Sequence, residues 1–258
     1  MRMILFFGDL HADFSHVLPL VMKLRPEAII LLGDLESPMP LEQVLGEVMK
    51  LTEVWWIPGN HDSDNLKSYH NLYGSDLASR NLHGRVVEIV GVRVAGLGGV
   101  FRESVWYPRH SMEAPQHYAN YESAGMIIMA AERAKMLRAN RERYRSIDEV
   151  EIPLIGKALT HKTTIFPDVW EGLCKQRADV LVTHEAPDCH HNGFVAITEL
   201  AQQMGVNRLF HGHHHDCRDY SSHRERMGFN AYGVGLRGVT DQDGRAVRAG
   251  ILDEQRGR

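Results

Sequence analysis

Met3-Ile4-Leu5-Phe6-Phe7-Gly8-Asp9-Leu10-His11 begins with five apolar residues and stops abruptly at glycine, aspartate and histidine. An apolar run this short, closed by turn formers, reads as a buried strand with its polar cluster on the loop beyond the carboxyl end. The pattern returns four times. Ala28 to Leu32 leads into Gly33-Asp34-Leu35-Glu36, and Val54 to Ile57 into Pro58-Gly59-Asn60-His61-Asp62. Val180 to Val182 leads into Thr183-His184-Glu185, and Arg208 to Phe210 into His211-Gly212-His213-His214-His215-Asp216.

Helical periodicity fills the intervals. Apolar residues at Val17, Leu20, Val21 and Leu24 predict a helix over His16 to Leu24. Similar spacing predicts helices over Leu41 to Leu51 and Phe194 to Met204. Strand and helix in alternation make an α/β sheet, whose ligand sites lie outside the carboxyl ends of its strands. All five polar clusters occupy that position. Val86 to Leu97 reads as a further strand, and Gly228 to Leu252 as short strands broken by glycines, so part of the fold is antiparallel. Residues 101–156 fit neither pattern and are read as a helical insertion or lid within a single domain spanning 1–258, with its helix over Ser123 to Tyr144.

Composition sets the outer bounds. A chain of 258 residues buries roughly three quarters of its unfolded surface. Its 43% hydrophobic and 24% charged content is that of an ordinary globular protein. A formal charge of -4 gives no global attraction to nucleic acid or anionic membrane. The apolar run at the amino terminus is too short for a signal peptide or a membrane span, so a cytoplasmic location is expected. Cys174, Cys189 and Cys217 form no CxxC pair, which suits a reducing compartment.

The 16 histidines are the unusual feature, because several crowd into the polar clusters. Carboxylate, amide oxygen and imidazole without thiolate suit divalent Mn, Fe, Zn, Ni or Co. Asp9 and His11 lie two apart, as do His213 and His215, and on a strand end such pairs project to one face. His214 between them is expected to point away. Asp62 reads as a helix cap or an orienting residue, and Glu36 and Glu185 are kept outside the site.

Taken in order, Asp9-Leu10-His11, Gly33-Asp34, Gly59-Asn60-His61-Asp62, His184 and Gly212-His213-His214-His215 resemble the motifs of the calcineurin-like metallophosphoesterase superfamily. The resemblance covers residue 4 to about residue 240 apart from the insertion. It implies a four-layer αββα sandwich of two mixed sheets with a helical insertion and a binuclear site at the sheet ends. On that likeness Asp9, His11 and His215 hold one metal, Asn60, His184 and His213 hold the other, and Asp34 bridges both. His61 is then the unligated histidine that protonates the leaving group. Two divalent cations are implied as cofactors, manganese first, with iron, zinc, nickel or cobalt as alternatives. Cations about 3.5–4 Å apart acidify a bridging water, and the resulting hydroxide attacks phosphorus in line.

Where protein Ser/Thr phosphatases of the superfamily carry an acid and an arginine after the bridging aspartate, this chain has Ser37 and Pro38. The likeness is therefore to the bacterial phosphodiesterase-like branches, with a small or nucleotide-like phosphodiester as substrate. A phosphomonoesterase and a nuclease are the alternatives on the same site, and a non-catalytic interaction module is the third. Arg133 to Arg145 holds six basic residues against Glu142, yet 101–156 as a whole balances eight against eight. A solvated helix is thus favoured over a nucleic-acid surface. Met126, Ile127, Met129, Ala130, Ala134 and Leu137 are expected to form its buried face, against the body or a second subunit in a homo-oligomer. Trp106, Tyr107, Arg109 and His110 are placed to reach the mouth of the site or to pack beneath it.

Overall fold

The structure is a computed structural model that describes residues 3–139 and 156–256. Each of the five apolar runs forms a strand. β1 (Ile4–Phe7), β2 (Ala28–Leu31) and β3 (Glu53–Trp56) pair in parallel, with Ile4 beside Ala28 and Ala28 beside Glu53. β4 (Arg85–Ile89) and β5 (Val92–Leu97) are antiparallel, and β5 continues in parallel with β6 (Val180–Thr183) and β7 (Arg208–His211). β8 (Arg218–Asp219), β9 (Asn230–Gly233), β10 (Val239–Asp241) and β11 (Ala246–Arg248) complete two sheets. Their orders are β11-β10-β1-β2-β3 and β4-β5-β6-β7-β9-β8. Both sheets are mixed, as the sequence implies.

The stretch read as one strand from Val86 to Leu97 is a hairpin. Val90 and Gly91 both take positive φ, 54° and 77°, and turn the chain back on itself. The asparagine-glycine signal of such turns is absent, so the apolar pattern runs through without a visible break.

The sheets stack face to face. Phe6 of β1 lies on Phe210 of β7 with ring centroids 3.8 Å apart and planes 8° from parallel. Ile4, Ile30, Trp55 and Ile57 of the first sheet share this dry layer with Val94, Val180 and Val182 of the second. Alternate residues of the same strands point outward. Leu5, Phe7, Ile29, Leu31 and Trp56 pack beneath α1 (Val17–Leu24), α2 (Leu41–Val44), α3 (Gly46–Met49) and α4 (Leu66–Tyr73). Ala95, Leu97, Leu181 and Leu209 pack beneath the helices over the second sheet. These are α5 (Tyr121–Ala139), α7 (Pro167–Cys174) and α8 (Val195–Met204), with α6 (Gly156–Thr160) packed against α5. Strands covered on both faces need continuous apolar sequence, which is what 4–7, 28–32 and 180–182 supply.

Two helical expectations are corrected. Leu41 to Leu51 is broken into α2 and α3, because Leu45 leaves helical geometry (φ -106°, ψ 12°) just before Gly46, a poor helix former. In α5 the packed stripe is Tyr121, Ala124 and Ile128. Met126 and Ile127 are 64% and 56% exposed. Small Ala124 is buried in the core while the larger Met126 and Ile127 face outward. The basic run past Arg138 and the end of the expected helix at Tyr144 lie outside the described residues. Trp106 belongs to the core, edge-on to Phe101 at 5.3 Å and to Trp170 at 5.8 Å.

His16 sits at the start of α1, 7% exposed, with its Nε2 unpartnered. Burial, then the charge of Arg248, pushes its pKa down to about 4. Between pH 6.5 and 4 the unfolded chain takes up a proton that folded His16 refuses, so stability falls with acid by at most about 3 kcal/mol. His16→Leu is expected to flatten that part of the stability profile in urea titrations at pH 7 and pH 5. An unchanged slope would sink the assignment.

Candidate metal centre

The five clusters converge on one edge of the stacked sheets, and strained backbone turns them there. His11, Asp34, Glu36, His213 and His215 all take positive φ, at 42°, 48°, 45°, 70° and 62°. Non-glycine residues in this region cost about 1–3 kcal/mol each and gather where function requires them. Asp9 and His11 therefore do not share a face through strand alternation as expected. β1 ends at Phe7 and β7 at His211, so loop geometry aims these side chains. Gly59 is needed for close approach, since a Cβ there would drive into the Asp34 carboxylate.

Two donor triplets result, His11 with Asp34 and His215, and Asp34 with His184 and His213. Within each, the ligating atoms lie within 4.8 Å of one another, and Asp34 belongs to both. In the first, His11 Nε2 and His215 Nε2 face each other at 3.1 Å. Two nitrogens about 2.0–2.1 Å from one divalent ion are separated by about 2.9–3.4 Å, so the pair fits a common ion. His11 is oriented by Glu36, whose Oε2 lies 2.5 Å from its Nδ1. Glu36, which the sequence places outside the site, thus supports a candidate ligand.

In the second triplet, His184 Nδ1 donates to the Leu32 carbonyl at 2.8 Å, which leaves Nε2 free to ligate. That Nε2 lies 3.2 Å from Asn60 Oδ1 and 3.4 Å from Asp34 Oδ2. A histidine tautomer fixed through its far nitrogen is the usual preparation for metal. Burial opposes charge on His184, but Asp34 and Asp9 outweigh it and raise its pKa to about 10. Asp9 belongs to neither triplet. Both its oxygens accept from the His213 backbone N–H at 3.0 Å, and burial lifts its pKa to about 6. Neutral oxygen, carboxylate and imidazole in this number fit divalent cations of the Mn to Zn series.

His61 stands apart from both triplets. Its backbone N–H donates to Asp34 Oδ1 at 2.9 Å, while its ring lies 5.5 Å from that of His11. Nδ1 is 2.6 Å from Asp64 Oδ2. Burial works against the imidazolium, but Asp64 and Asp34 prevail and raise the pKa. Asp64 is absent from the sequence expectation, and its signal was the i, i+3 spacing on a short 3-10 turn over His61–Ser63. Asp62 orients, as expected: Oδ1 accepts from Leu35 and Glu36 N–H and Oδ2 from Gly59 N–H, each at 2.8 Å. Ser37 is buried and its hydroxyl donates to the Met39 carbonyl, so it stands in for no acid.

His214 points away from both triplets and stacks on His190 at 3.9 Å. Behind the ligand loop, Nε2 of His190, His211 and His214, Asp216 Oδ1 and the Tyr220 hydroxyl are buried without hydrogen-bond partners among the described residues. Only the number of histidines in the sequence hinted at this row.

Against known proteins, residues 2–127 match the profile of the calcineurin-like phosphoesterases. The chain belongs to that family. It is thus a metal-dependent hydrolase of phosphoric esters. The phosphoesterase is 38% identical over 256 residues to an uncharacterized protein of Haemophilus influenzae, covering 98% of this chain and all of that one. The crystal structure of TT1561 from Thermus thermophilus superposes with a TM-score of 0.52 at 14% identity, covering 97% and 99% of the two chains, a likeness of fold. Because the family match ends at residue 127, His184, His213 and His215 are joined to Asp34 by geometry alone. No helix among the described residues is long and apolar enough to cross a membrane.

Proposed function

We propose that the protein hydrolyses a small or nucleotide-like phosphodiester at a binuclear centre, with His61 as the general acid. Asp9, His11 and His215 would hold one ion and Asn60, His184 and His213 the other, with Asp34 shared. Manganese is the expected metal. The observation that carries the reading is the pair of donor triplets meeting at Asp34 beside an unligated, acid-paired histidine. When bound, two divalent ions would supply charge against the phosphoryl oxygens and acidify water for attack. The chain's own residues do the rest. Asp34 fixes the His61 backbone, Asp64 holds the His61 ring and favours its protonated form, and the exposed edge of that ring delivers the proton to the departing oxygen.

The missing phosphatase signature at Ser37 and Pro38 favours a diester over a phosphoprotein, and the open cleft beside Asn60 and His213 gives room for a second esterified group. We further read the chain as one domain with an insertion over 101–156, in support of which the two sheets share one apolar layer. A cytoplasmic location remains our expectation. Exposed Met126 and Ile127 on α5 support a homo-oligomer through that helix.

Bis-p-nitrophenyl phosphate, p-nitrophenyl phosphate and single-stranded DNA, assayed side by side with manganese and with chelator, test the proposal. Metal-dependent turnover led by the diester is expected. Preference for the monoester would overturn the diester reading. Preference for DNA, with affinity falling steeply with salt, would establish the nuclease alternative.

A further inference from the structure

Beside the metal centre, and sharing Asn60 and His213 with it, lies an open cleft of about 380 Å³. Two guanidinium groups stand on its wall, Arg102 just beyond the end of β5 and Arg109 a few residues on. Elsewhere Arg80, Arg93, Arg208, Arg218, Arg226 and Arg237 each lie within 4.0 Å of a carboxylate. Arg102 and Arg109 have no such partner among the described residues; Arg85 and Arg177 likewise bond only to carbonyls, but the arginines that line the cleft are Arg102 and Arg109. Glu185, the one carboxyl on the same wall, lies 4.0 Å from His213 Nε2 and beyond ion-pair distance of either arginine.

Both side chains are nonetheless held in place by neutral groups. Arg102 Nε donates to Thr164 Oγ1 at 3.0 Å. Arg109 Nη2 donates to the His191 carbonyl and to Asn192 Oδ1, both at 2.9 Å. Arg109 Nε is buried and has no hydrogen-bond partner among the described residues. Two fixed guanidiniums with no carboxylate at ion-pair distance, Arg102 feeling Asp64 and Glu185 only from farther off, are suited to receive an anion, because guanidinium forks match carboxylate and phosphate. The reacting phosphoryl group already has the metal-ligand cluster to receive it. We propose that Arg102 and Arg109 hold a second, non-reacting anionic group of the substrate, so that the natural substrate is a phosphate ester bearing a further phosphate or carboxylate. This inference rests on the phosphoesterase reading of the neighbouring metal centre. It also explains why a short loop after Gly98-Gly99 carries two arginines while Trp106 between them is committed to the core.

Two pairs of chromogenic diesters test it with the full-length protein in manganese. Thymidine 5′-(p-nitrophenyl phosphate) is compared with its 3′-phosphorylated form, and ethyl p-nitrophenyl phosphate with carboxymethyl p-nitrophenyl phosphate. The wild type is expected to favour the additional anion at least about tenfold in kcat/KM in one pair, which also identifies phosphate or carboxylate as the group recognised. Arg102→Ala and Arg109→Ala should each bring that ratio towards one, chiefly through KM, with Arg109→Lys keeping part of it. An absence of preference in both pairs would overturn the proposal. So would variants that slow all four compounds alike, since the arginines would then serve the reacting phosphoryl group. Calorimetric binding of thymidine 3′,5′-bisphosphate against thymidine 5′-phosphate reads the same subsite without turnover. Failure of every hydrolysis assay would therefore count against the metal centre, whereas equal affinity for the two nucleotides would count against the subsite.

Discussion

Asp34→Asn is expected to strip metal from both positions at once and to leave a folded, inactive protein. Asp34 is the one residue common to the two donor triplets. Replacing an outer partner of a ligand typically costs 10–100-fold in metal affinity, so loss of a shared ligand should cost more than about 100-fold at each position. The amide retains an oxygen for the His61 backbone N–H but no longer balances His184. In the wild type, Asp34 and Asp9 raise the His184 pKa to about 10 against the pull of burial, so at pH 7 an entering ion must displace a proton. Metal affinity should accordingly rise with pH between 7 and 9, by up to about tenfold per unit for each proton released. The sign for the metal-free fold is the opposite. A raised histidine pKa contributes stability that is complete below pH 6.5 and lost as pH climbs through 10. Metal content by atomic emission and proton release by calorimetry read both effects, and Asp34→Asn protein that kept two ions would refute the shared ligand.

His61→Ala should do the reverse, keeping its metal and losing turnover by about 10²- to 10⁴-fold, the range of a general acid. Its imidazole lies outside both triplets and its Nδ1 is occupied by Asp64. Asp64→Asn provides the graded control. With Asp64 neutral, the support that raises the His61 pKa is weakened, so the alkaline limb of the kcat–pH profile should move to lower pH while metal content stays constant. If Asp64→Asn shifted neither limb, the aspartate would be a surface partner only. Wild-type kcat in His61→Ala would remove the proton-transfer role altogether.

The strands, and the gathering of His11, Asp34, His184, His213 and His215 beyond their ends, are legible because each apolar run stops where its polar cluster begins. What could not be read was anything set by loop dihedrals. Strand spacing puts the side chains of Asp9 and His11 on one face, but the chain has left the strand by then and a left-handed turn at His11 aims its imidazole. Glu36 looked peripheral because only the fold brings it to His11. Asp64 was masked by its neighbour Asp62, which carries the more familiar motif position. On α5 small Ala124, rather than the larger Met126 and Ile127, meets the core, which apolar size alone does not predict. Arg102, five residues past the end of a strand, had no periodic pattern to mark it.

The ligand loops come from both sheets, those after β1, β2 and β3 from one and those after β6 and β7 from the other. Ions shared between them would act as a clasp across the sandwich, and cohesion of the two halves would become a function of free metal. At an ion concentration 100 times its dissociation constant, each would add about 2.7 kcal/mol to the folded state. Melting temperature should then track metal concentration, and a cell short of that metal would lose the protein through unfolding as well as through idle active sites.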